Sequence, residues 1–426
     1  MTISRLLPRT LHLDGLVHPD FLHVEATLRN QLRNYPGGAA VSVFHRGECV
    51  VDLWGGYRDE EGTPWAGNTM APSFSTTKGV AATLLHIFAD RGLIDYDARV
   101  AEYWPEFGQC GKKEITVRQV LSHQSGLYHI RQMIDHVDRM LDWEHMIAAI
   151  EQTWPAHVPG ARTGYHGLTF GFLVGEIIQR VSGEKFSDLV QKEIARPLGL
   201  DGLFIGAPEH EIPRSAKLIF PDSTQRLSQT SFGSKLEINA TRMSRLLQRL
   251  GVDSDLASIF DALAPRGISE FDFGSPESLR VAIPAGNGLF TARSLAKMYA
   301  LLANGGELDG VRLLGEGTLR EATHLQKPTG RLSVIPFDMR WRLGYHGVAT
   351  TRGFPRKAFG HFGFGGSGAW ADPKRRLSVA LIVNSGLGSP FGDVRTARMG
   401  GAALACAIAR SRPAGLLRGP VLHGAA

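Results

Sequence analysis

The sequence predicts an α+β fold in which one antiparallel sheet, flanked by helices, is formed by the two ends of the chain. Strand-like runs joined by turn signals lie near both ends, and the middle of the chain has the pattern of helices and loops. The 426 residues are 43% hydrophobic and 21% charged, which is typical of a globular protein with a large core.

The N-terminal elements follow from apolar spacing. Residues 19–33 place apolar side chains on one helical face, and residues 38–56 form two β-rich runs around Arg46-Gly47, which predicts a hairpin. A further helix is predicted from about Ser75 to Arg91, where Gly92 ends it.

The later elements divide into a helical stretch and a second strand-rich stretch. Four segments between about 95 and 325 have helical spacing and end near glycine: TVRQVLSHQSGL, LTFGFLVGEIIQRVSG, KFSDLVQKEIARPLGL and TARSLAKMYALLANGG. From about residue 340, WRLGY, GHFGFGGSGAWADP and RLSVALIVNS predict strands, DPKRR predicts a turn, and DVRTARMGGAALACAIARS predicts a helix.

We therefore predict one catalytic unit over residues 1–426. Its sheet-containing part comprises residues 15–94 and 326–415, and its mostly helical part comprises residues 95–325. The active site is expected in the cleft where the two parts meet, because ligand sites favour such junctions.

Charge and cysteine content exclude several classes of protein. The net charge is +6, but the basic residues are scattered and no basic stripe is interleaved with aromatic residues, which argues against a nucleic-acid partner. Cys49, Cys110 and Cys406 are far apart and lack metal-ligand spacing, so we expect reduced, structural thiols and no metal site.

Targeting signals are also missing from the sequence. The first residues lack an apolar core long enough for a signal peptide, and no stretch reaches the roughly 18–20 apolar residues of a membrane span. We expect a cytoplasmic protein without a membrane partner. No cofactor is expected either, because the G-x-G-x-x-G match at 363–368 precedes AWADP instead of opening a helix.

Two catalytic patterns need discrimination from chance matches. The segment around Ser367 nearly fits G-x-S-x-G, but Ala369 replaces the last glycine and the strand-to-helix context is missing. The spacing S-x-x-K occurs three times, as Ser75/Lys78, Ser182/Lys185 and Ser294/Lys297. The second pair lies in a predicted loop and the third at a simple helix start, so both favour an exposed lysine.

The segment SFSTTKGV differs because an apolar helix follows it at once. Residues three apart lie on one helical face, so the Lys78 amine can reach the Ser75 hydroxyl. Burial, with a contribution from His361 when protonated, would lower the pKa of Lys78 and let the neutral amine accept the serine proton. The alternative is that Ser75 caps the helix while Lys78 extends to water.

Two later stretches favour the catalytic interpretation. Tyr165 precedes an apolar helix, where its phenol could share a proton with Lys78 and pass it to a leaving group. His361-Phe362-Gly363 begins a glycine-rich strand, on which small residues would let a substrate lie against the backbone and an N–H would complete an oxyanion hole.

In this order, Ser-x-x-Lys, Tyr-x-x and His-x-Gly, the sequence resembles the serine β-lactamase and penicillin-binding-protein superfamily. It is most similar to the class C β-lactamase-like esterases called type VIII carboxylesterases, from about residue 20 to 410. The resemblance implies the α/β sandwich of the β-lactamase type. Flanking stretches agree, namely VLSHQSGL at 120–127, PAGNGLFTARSLAKM at 284–298 and GHFGFGGSGAWADP at 360–373.

The resemblance implies that Ser75 is the nucleophile, Lys78 its base and Tyr165 the second proton-transfer residue. The N–H groups of Ser75 and Phe364 would then form the oxyanion hole. His361-x-Gly363 would line the substrate site.

Two departures from the family pattern bear on the substrate. His361 stands where β-lactamases usually have Lys, which helps attract a carboxylate, and Gly167 stands where they usually have Asn, which helps hold an amide. We therefore hypothesise a serine carboxylesterase that acts on small, uncharged, short-chain acyl esters. β-Lactamase, D-amino-acid peptidase and acyltransferase activities on the same site remain alternatives. So does a non-catalytic relative that binds an acyl or peptide ligand.

Overall fold

The computed structural model contains an eight-stranded antiparallel sheet formed by both ends of the chain, as predicted. It describes residues 12–219, 256–330, 332–335, 337–386, 393–411 and 421–423. The strand order in the large sheet is β11-β12-β13-β14-β2-β3-β1-β15. The strands of this sheet are β1 (Leu13–Val17), β2 (Gly38–His45), β3 (Glu48–Gly56), β11 (His346–Gly347), β12 (Phe359–Phe362), β13 (Gly368–Asp372), β14 (Leu377–Val383) and β15 (Val421–His423).

The remaining strands are two residues long, and the helices surround the sheets. The short strands are β4 (Ala71–Pro72), β5 (Thr163–Gly164), β6 (Leu203–Phe204), β7 (Leu289–Phe290), β8 (Glu307–Leu308), β9 (Val311–Arg312) and β10 (Leu332–Ser333). The helices are α1 (Leu22–Asn34), α2 (Thr77–Asp90), α3 (Val100–Tyr103), α4 (Val117–Leu121), α5 (Ile130–Met133), α6 (Trp143–Gln152), α7 (Thr169–Ser182), α8 (Phe186–Val190), α9 (Leu256–Leu263), α10 (Pro276–Arg280), α11 (Ala292–Ala303), α12 (Glu316–Ala322) and α13 (Val394–Arg410).

The central strands are apolar on both faces because helices cover both faces. In β2, Val41 and Val43 point into one core and Ala40 into the other. α1 and α13 pack together on the first face, and α11 packs on the second against β2 and β14. The β2–β3 turn has positive φ at Arg46 (58°) and Gly47 (87°), the conformation that a two-residue hairpin needs, and this confirms the predicted hairpin.

α2 lies inside the molecule, and its residues from Thr77 to Phe88 are buried. A helix that is apolar on all sides is stable only when it is surrounded by other elements. The chain enters it through a short 3-10 turn at Phe74–Thr76, so the α-helix begins two residues after the predicted start at Ser75. Gly92, with φ of +70°, lies just beyond its end.

Two strand predictions near the C-terminus need correction. The segment WRLGY is not a strand: Arg342 N–H donates to Tyr345 O in a turn, and Gly344 N–H donates to Leu121 O. Gly344 has φ of +77°, and a Cβ there would lie 2.3 Å from that of Ala82, so close packing on α2 fixes this turn. The segment GHFGFGGSGAWADP is not one strand but two, β12 and β13, joined by a turn at 363–367.

The structure also bears on the predicted boundaries of the two parts, on the cysteines and on membrane spans. α11 belongs to the predicted helical part, residues 95–325, yet it packs on the large sheet. Residues 220–255 and 412–415 lie outside the described residues. The proposed boundaries of the two parts therefore stay a prediction. Cys49, Cys110 and Cys406 are free thiols. Over the described ranges, no helix is both long and apolar enough to cross a bilayer.

Candidate active site

Ser75 lies in the strained turn that precedes α2. Phe74, directly before it, has φ of +46°, a conformation that costs a bulky residue energy and persists only when neighbouring contacts impose it. Those contacts include Ser73 N–H to Gly288 O at 2.9 Å and Gly288 N–H to Thr77 Oγ1 at 2.9 Å. Ser75 itself is half-buried, so a ligand can reach its hydroxyl.

Lys78 is fully buried beneath Ser75. Its Nζ lies 2.9 Å from Ser75 Oγ and 3.1 Å from Ala285 O. Within the described residues no carboxylate pairs with this amine, and burial holds the pKa of Lys78 well below its usual value. Burial therefore favours the neutral amine, which can accept a proton, and the alternative of a lysine that extends to water does not describe this structure.

Tyr165 binds the same serine oxygen, so Ser75 Oγ is the shared corner of a triangle that Ser75, Lys78 and Tyr165 form. Its OH lies 2.9 Å from Ser75 Oγ, and Lys78 Nζ lies 5.1 Å from the centre of its ring. Burial raises the pKa of Tyr165, so the phenol keeps its proton at neutral pH. The ring is fixed by Trp341, stacked at 5.6 Å and 12°, and by the edge of His123 at 5.1 Å.

His361 lies close to the triangle but cannot supply positive charge. It lies in β12 with its ring 6.5 Å from that of Tyr165, and Nδ1–H donates to Phe362 O at 3.1 Å. Burial lowers the pKa of His361 well below its usual value, so the ring is neutral at pH 7. The prediction that a protonated His361 helps to lower the pKa of Lys78 is therefore wrong, since burial alone does so.

Gly363 and Phe364 form the start of the turn that faces the Ser75 segment. A Cβ on Gly363 would lie 2.2 Å from Ser73 O, so the backbone of one turn packs directly on the other. Thr76 Oγ1 donates to Ser367 O at 3.2 Å and reinforces this contact. The Phe364 ring contacts the Phe74 ring edge-on, with 5.5 Å between their centres. The backbone N–H of Phe364 has no hydrogen-bond partner among the described residues.

Three contributors to the site were missed in the sequence. Ala285 binds Lys78 through its carbonyl, and Trp341 stacks on Tyr165 from the segment interpreted as a strand. Arg395 is buried beside Asp393 at 2.9 Å and donates to Gly365 O, so it supports the turn after β12. The stretch PAGNGLF contains Ala285 and was the sequence signal that could have indicated it. No pattern in the sequence indicated Trp341 or Arg395, because each acts as a single buried side chain.

The side chains of the chance matches have other partners and lack the necessary chemistry. Ser367 is buried, and its Oγ accepts from Val383 N–H at 3.1 Å, so its hydroxyl binds β14. Ser294 donates to Asp201, while Lys297 pairs with Asp309 at 3.0 Å. Within the described ranges, no group of three His, Cys, Asp or Glu side chains could hold a metal ion.

Comparison with known proteins gives consistent results for sequence and structure. A family profile described as Beta-lactamase matches residues 27–404. The protein named Esterase/beta-lactamase LipL, from Mycobacterium tuberculosis, is 38% identical over 360 residues, which are 82% of this chain and 77% of that protein.

Two solved structures resemble the whole fold. A family VIII carboxylesterase superposes with a TM-score of 0.79 at 33% identity, covering 93% of this chain and 100% of the other. A penicillin-binding protein homologue from Caulobacter crescentus gives 0.78 at 33% identity, covering 92% and 99%. These matches confirm the fold class and the relationship that the motifs predicted.

Proposed function

This chain belongs to the beta-lactamase family, and on that premise we propose that it is a serine carboxylesterase that cleaves short-chain acyl esters. The names of similar proteins support the general part of this proposal, which is serine hydrolase chemistry. The observation that carries the proposal is the triangle in which Lys78 Nζ and Tyr165 OH each lie 2.9 Å from Ser75 Oγ. Such a geometry suits a serine activated by a neutral amine.

The proposed reaction starts with attack of Ser75 Oγ on the ester carbonyl carbon. The hydroxyl proton passes to Lys78, and the N–H groups of Ser75 and Phe364 bind the resulting oxyanion. Collapse of this intermediate breaks the bond to the alcohol oxygen, which takes a proton through Tyr165. Water then attacks the acyl carbon and gives a proton to Lys78. Collapse of the second intermediate breaks the bond to Ser75 Oγ, which takes that proton back, and the carboxylic acid leaves.

The surroundings of Ser75 favour an uncharged, apolar substrate. His361, where β-lactamases usually have Lys, is neutral and offers no charge to a substrate carboxylate. Three half-buried phenyl rings from different segments meet at Phe74, the residue before the nucleophile, with Phe74 5.3 Å from Phe273 and 5.5 Å from Phe364. Such rings bind an apolar acyl or alcohol group through the hydrophobic effect.

A second candidate is β-lactam hydrolysis on the same site. It is favoured by the name of the relative from Mycobacterium tuberculosis, which joins esterase and beta-lactamase. Both reactions pass through an acyl-enzyme, so the triangle around Ser75 suits either. The absence of the family Asn at position 167 favours the ester.

A rate comparison tests the proposal. p-Nitrophenyl acetate, butyrate and octanoate should show sustained turnover with kcat/KM well above that for nitrocefin, and Ser75→Ala should abolish it. Ser182→Ala is the matched control, because Ser182 belongs to another S-x-x-K match and its loss should leave the rates unchanged. A single burst without turnover would indicate a ligand-binding relative. Faster hydrolysis of nitrocefin would indicate a β-lactamase.

A further inference from the structure

The space beside Gly167 is filled by α9. A Cβ on Gly167 would lie 2.3 Å from Leu263 Cδ2 and 2.9 Å from Ala262 O. Any larger residue here therefore meets both a side chain and a backbone carbonyl. The position at which related β-lactamases have an amide-holding Asn is thus closed by an apolar side chain from a separate helix.

Several contacts hold α9 in this place. Arg131 donates to Ala264 O at 2.9 Å, and its guanidinium lies 4.4 Å from the centre of the Phe260 ring. Gln132 donates to Asp261 at 2.6 Å, and Ala262 is fully buried. Leu263 is consequently a fixed part of the wall near Gly167.

The wall belongs to the environment of the proposed proton-transfer residue. Tyr165, Trp341 and Ala262 lie in one buried apolar cluster, and Leu263 packs against it. Among the described members of this cluster, only Tyr128, Tyr165 and Trp341 carry a side-chain oxygen or nitrogen atom. A substrate amide brought against such a wall would lose its water without gaining a partner, whereas methylene groups would gain by burial.

We propose that Leu263 determines acyl specificity, by limiting the size of the acyl group and by excluding acyl groups that carry an amide next to the reacting carbonyl. This inference rests on the proposed esterase function and deepens it. It assigns the substrate class as plain aliphatic acyl esters. Leu263 acts by shape and polarity and does not transfer protons.

Truncation of Leu263 provides the first test. Leu263→Ala should raise kcat/KM for p-nitrophenyl octanoate relative to acetate by about 10-fold, as expected when a pocket gains a few methylene groups of space. Ile259→Ala is the matched control, because Ile259 lies one turn earlier on α9 and packs on the same cluster. An unchanged ratio in Leu263→Ala, or an equal change in both variants, would show that Leu263 only stabilises the helix.

A second test does not depend on turnover. Gly167→Ala should lower the thermal midpoint because its methyl group collides with Leu263, and adding Leu263→Ala should recover part of that loss. Strictly additive effects would contradict the packing on which the inference depends, since contacting residues couple.

The last test introduces an Asn side chain that can bind a substrate amide, in the space that Leu263→Ala opens. Gly167→Asn combined with Leu263→Ala should raise nitrocefin hydrolysis relative to p-nitrophenyl acetate at least about 10-fold over Leu263→Ala alone. No rise would overturn the claim that Leu263 excludes amides. Ester turnover by the wild-type enzyme is measured separately, so a failure of the proposed function is distinguishable from a failure of this inference.

Discussion

The Lys78 amine is the group on which the proposed chemistry depends. It is 0% exposed, and its two described hydrogen-bond partners are the Ser75 hydroxyl and a backbone carbonyl. A charged ammonium in this position would be cut off from water and would lack a counterion, and this is the physical reason why its pKa is lowered. In the unfolded chain the same amine is protonated at pH 7, so the site costs the folded protein stability.

Substitution of Lys78 separates these two effects. Lys78→Arg should reduce kcat/KM by about 10³-fold or more, because a guanidinium keeps its charge and accepts no proton. Lys78→Met, of similar shape, should be equally inactive but at least as stable as the wild type in a urea titration. Near-normal kcat in Lys78→Arg would show that Lys78 is not the base.

The pH profile follows from the lowered pKa of Lys78. The neutral amine is the active form, so kcat/KM should fall as the pH decreases through the folded pKa and should level off above it. Initial rates with p-nitrophenyl butyrate at constant ionic strength measure this, after correction for spontaneous hydrolysis. A profile that rises toward acid would exclude an amine base.

Tyr165 can be tested without disturbing its packing. Tyr165→Phe keeps the stacking on Trp341 but removes the hydroxyl that lies 2.9 Å from Ser75 Oγ. We expect kcat to fall about 10²–10⁴-fold with little change in KM, the usual range for a proton-transfer group. If KM rises instead and kcat is kept, the hydroxyl binds substrate and does not transfer a proton.

At this scale the spacing of motifs predicted the three residues of the triangle but could not prove them. Lys78 and Lys297 follow a serine at the same spacing, yet only Lys78 is buried beside its serine hydroxyl, while Lys297 pairs with Asp309. That difference arises from tertiary packing. The contact between Leu263 and Gly167 could not be predicted from the sequence for the same reason, because Leu263 lies on a helix that is distant along the chain.

At the scale of the elements, the contact between the Ser75 turn and the turn after β12 sets the relative position of the two N–H groups that would form the proposed oxyanion hole. The two backbones touch at Gly363 and Ser73, and Thr76 binds Ser367 across them. Arg395 supports the outer side of the second turn through Gly365 O. A displacement of this turn would move Phe364 N–H away from the place that we propose for the oxyanion.

Gly363→Ala tests that contact. Its methyl group would lie 2.2 Å from Ser73 O, so the turns must separate, and kcat should fall about 10²-fold, a loss typical of a misplacement near 1 Å. Gly317→Ala in α12 is the control, because nothing lies within 4 Å of a Cβ there and rates should not change. Equal activity of both variants would remove Phe364 from the proposed oxyanion hole.

Elements with strong periodicity were predictable, and those fixed by long-range contacts were not. The runs that became β2, β3 and β14 alternate or are continuously apolar, and each formed a strand. WRLGY has a similar composition but turns inward, because Gly344 must approach Ala82 on α2. A local pattern contains no information on that approach.

For the whole molecule, buried neutral histidines make stability depend on pH. His86 on α2 and His346 on β11 are buried, and burial lowers the pKa of each to about 4 from 6.5. The unfolded chain takes up protons near pH 6.5, but the folded chain does so only near pH 4. Stability is therefore fully present above pH 6.5 and is lost as the pH falls toward 4.

The expected loss is large for a protein of marginal stability. A shift of this size corresponds to about 3 kcal/mol for each histidine, as an order of magnitude. Urea unfolding at pH 7.5, 6 and 5 should show a steep decrease in the free energy of unfolding, less steep in His86→Gln. A free energy that is constant over this range would mean that these rings are hydrated in solution.

The global architecture was predictable from the order of motifs and from strand-like runs at both ends of the chain. The location of the site was predicted in the same way, since Ser75, Tyr165 and His361 come from distant parts of the chain and lie together. The neutral state of His361 was not predictable, because it depends on complete burial at the end of β12.

Covalent labelling with a fluorophosphonate probe tests the central claim most directly. Peptide mapping by mass spectrometry should find one label, on Ser75, which disappears in Ser75→Ala and forms much more slowly in Lys78→Met. Ester turnover should disappear in proportion to the labelled fraction. A label on Ser367, or full ester turnover by a protein without a label on Ser75, would contradict the assignment of Ser75 as the nucleophile activated by Lys78.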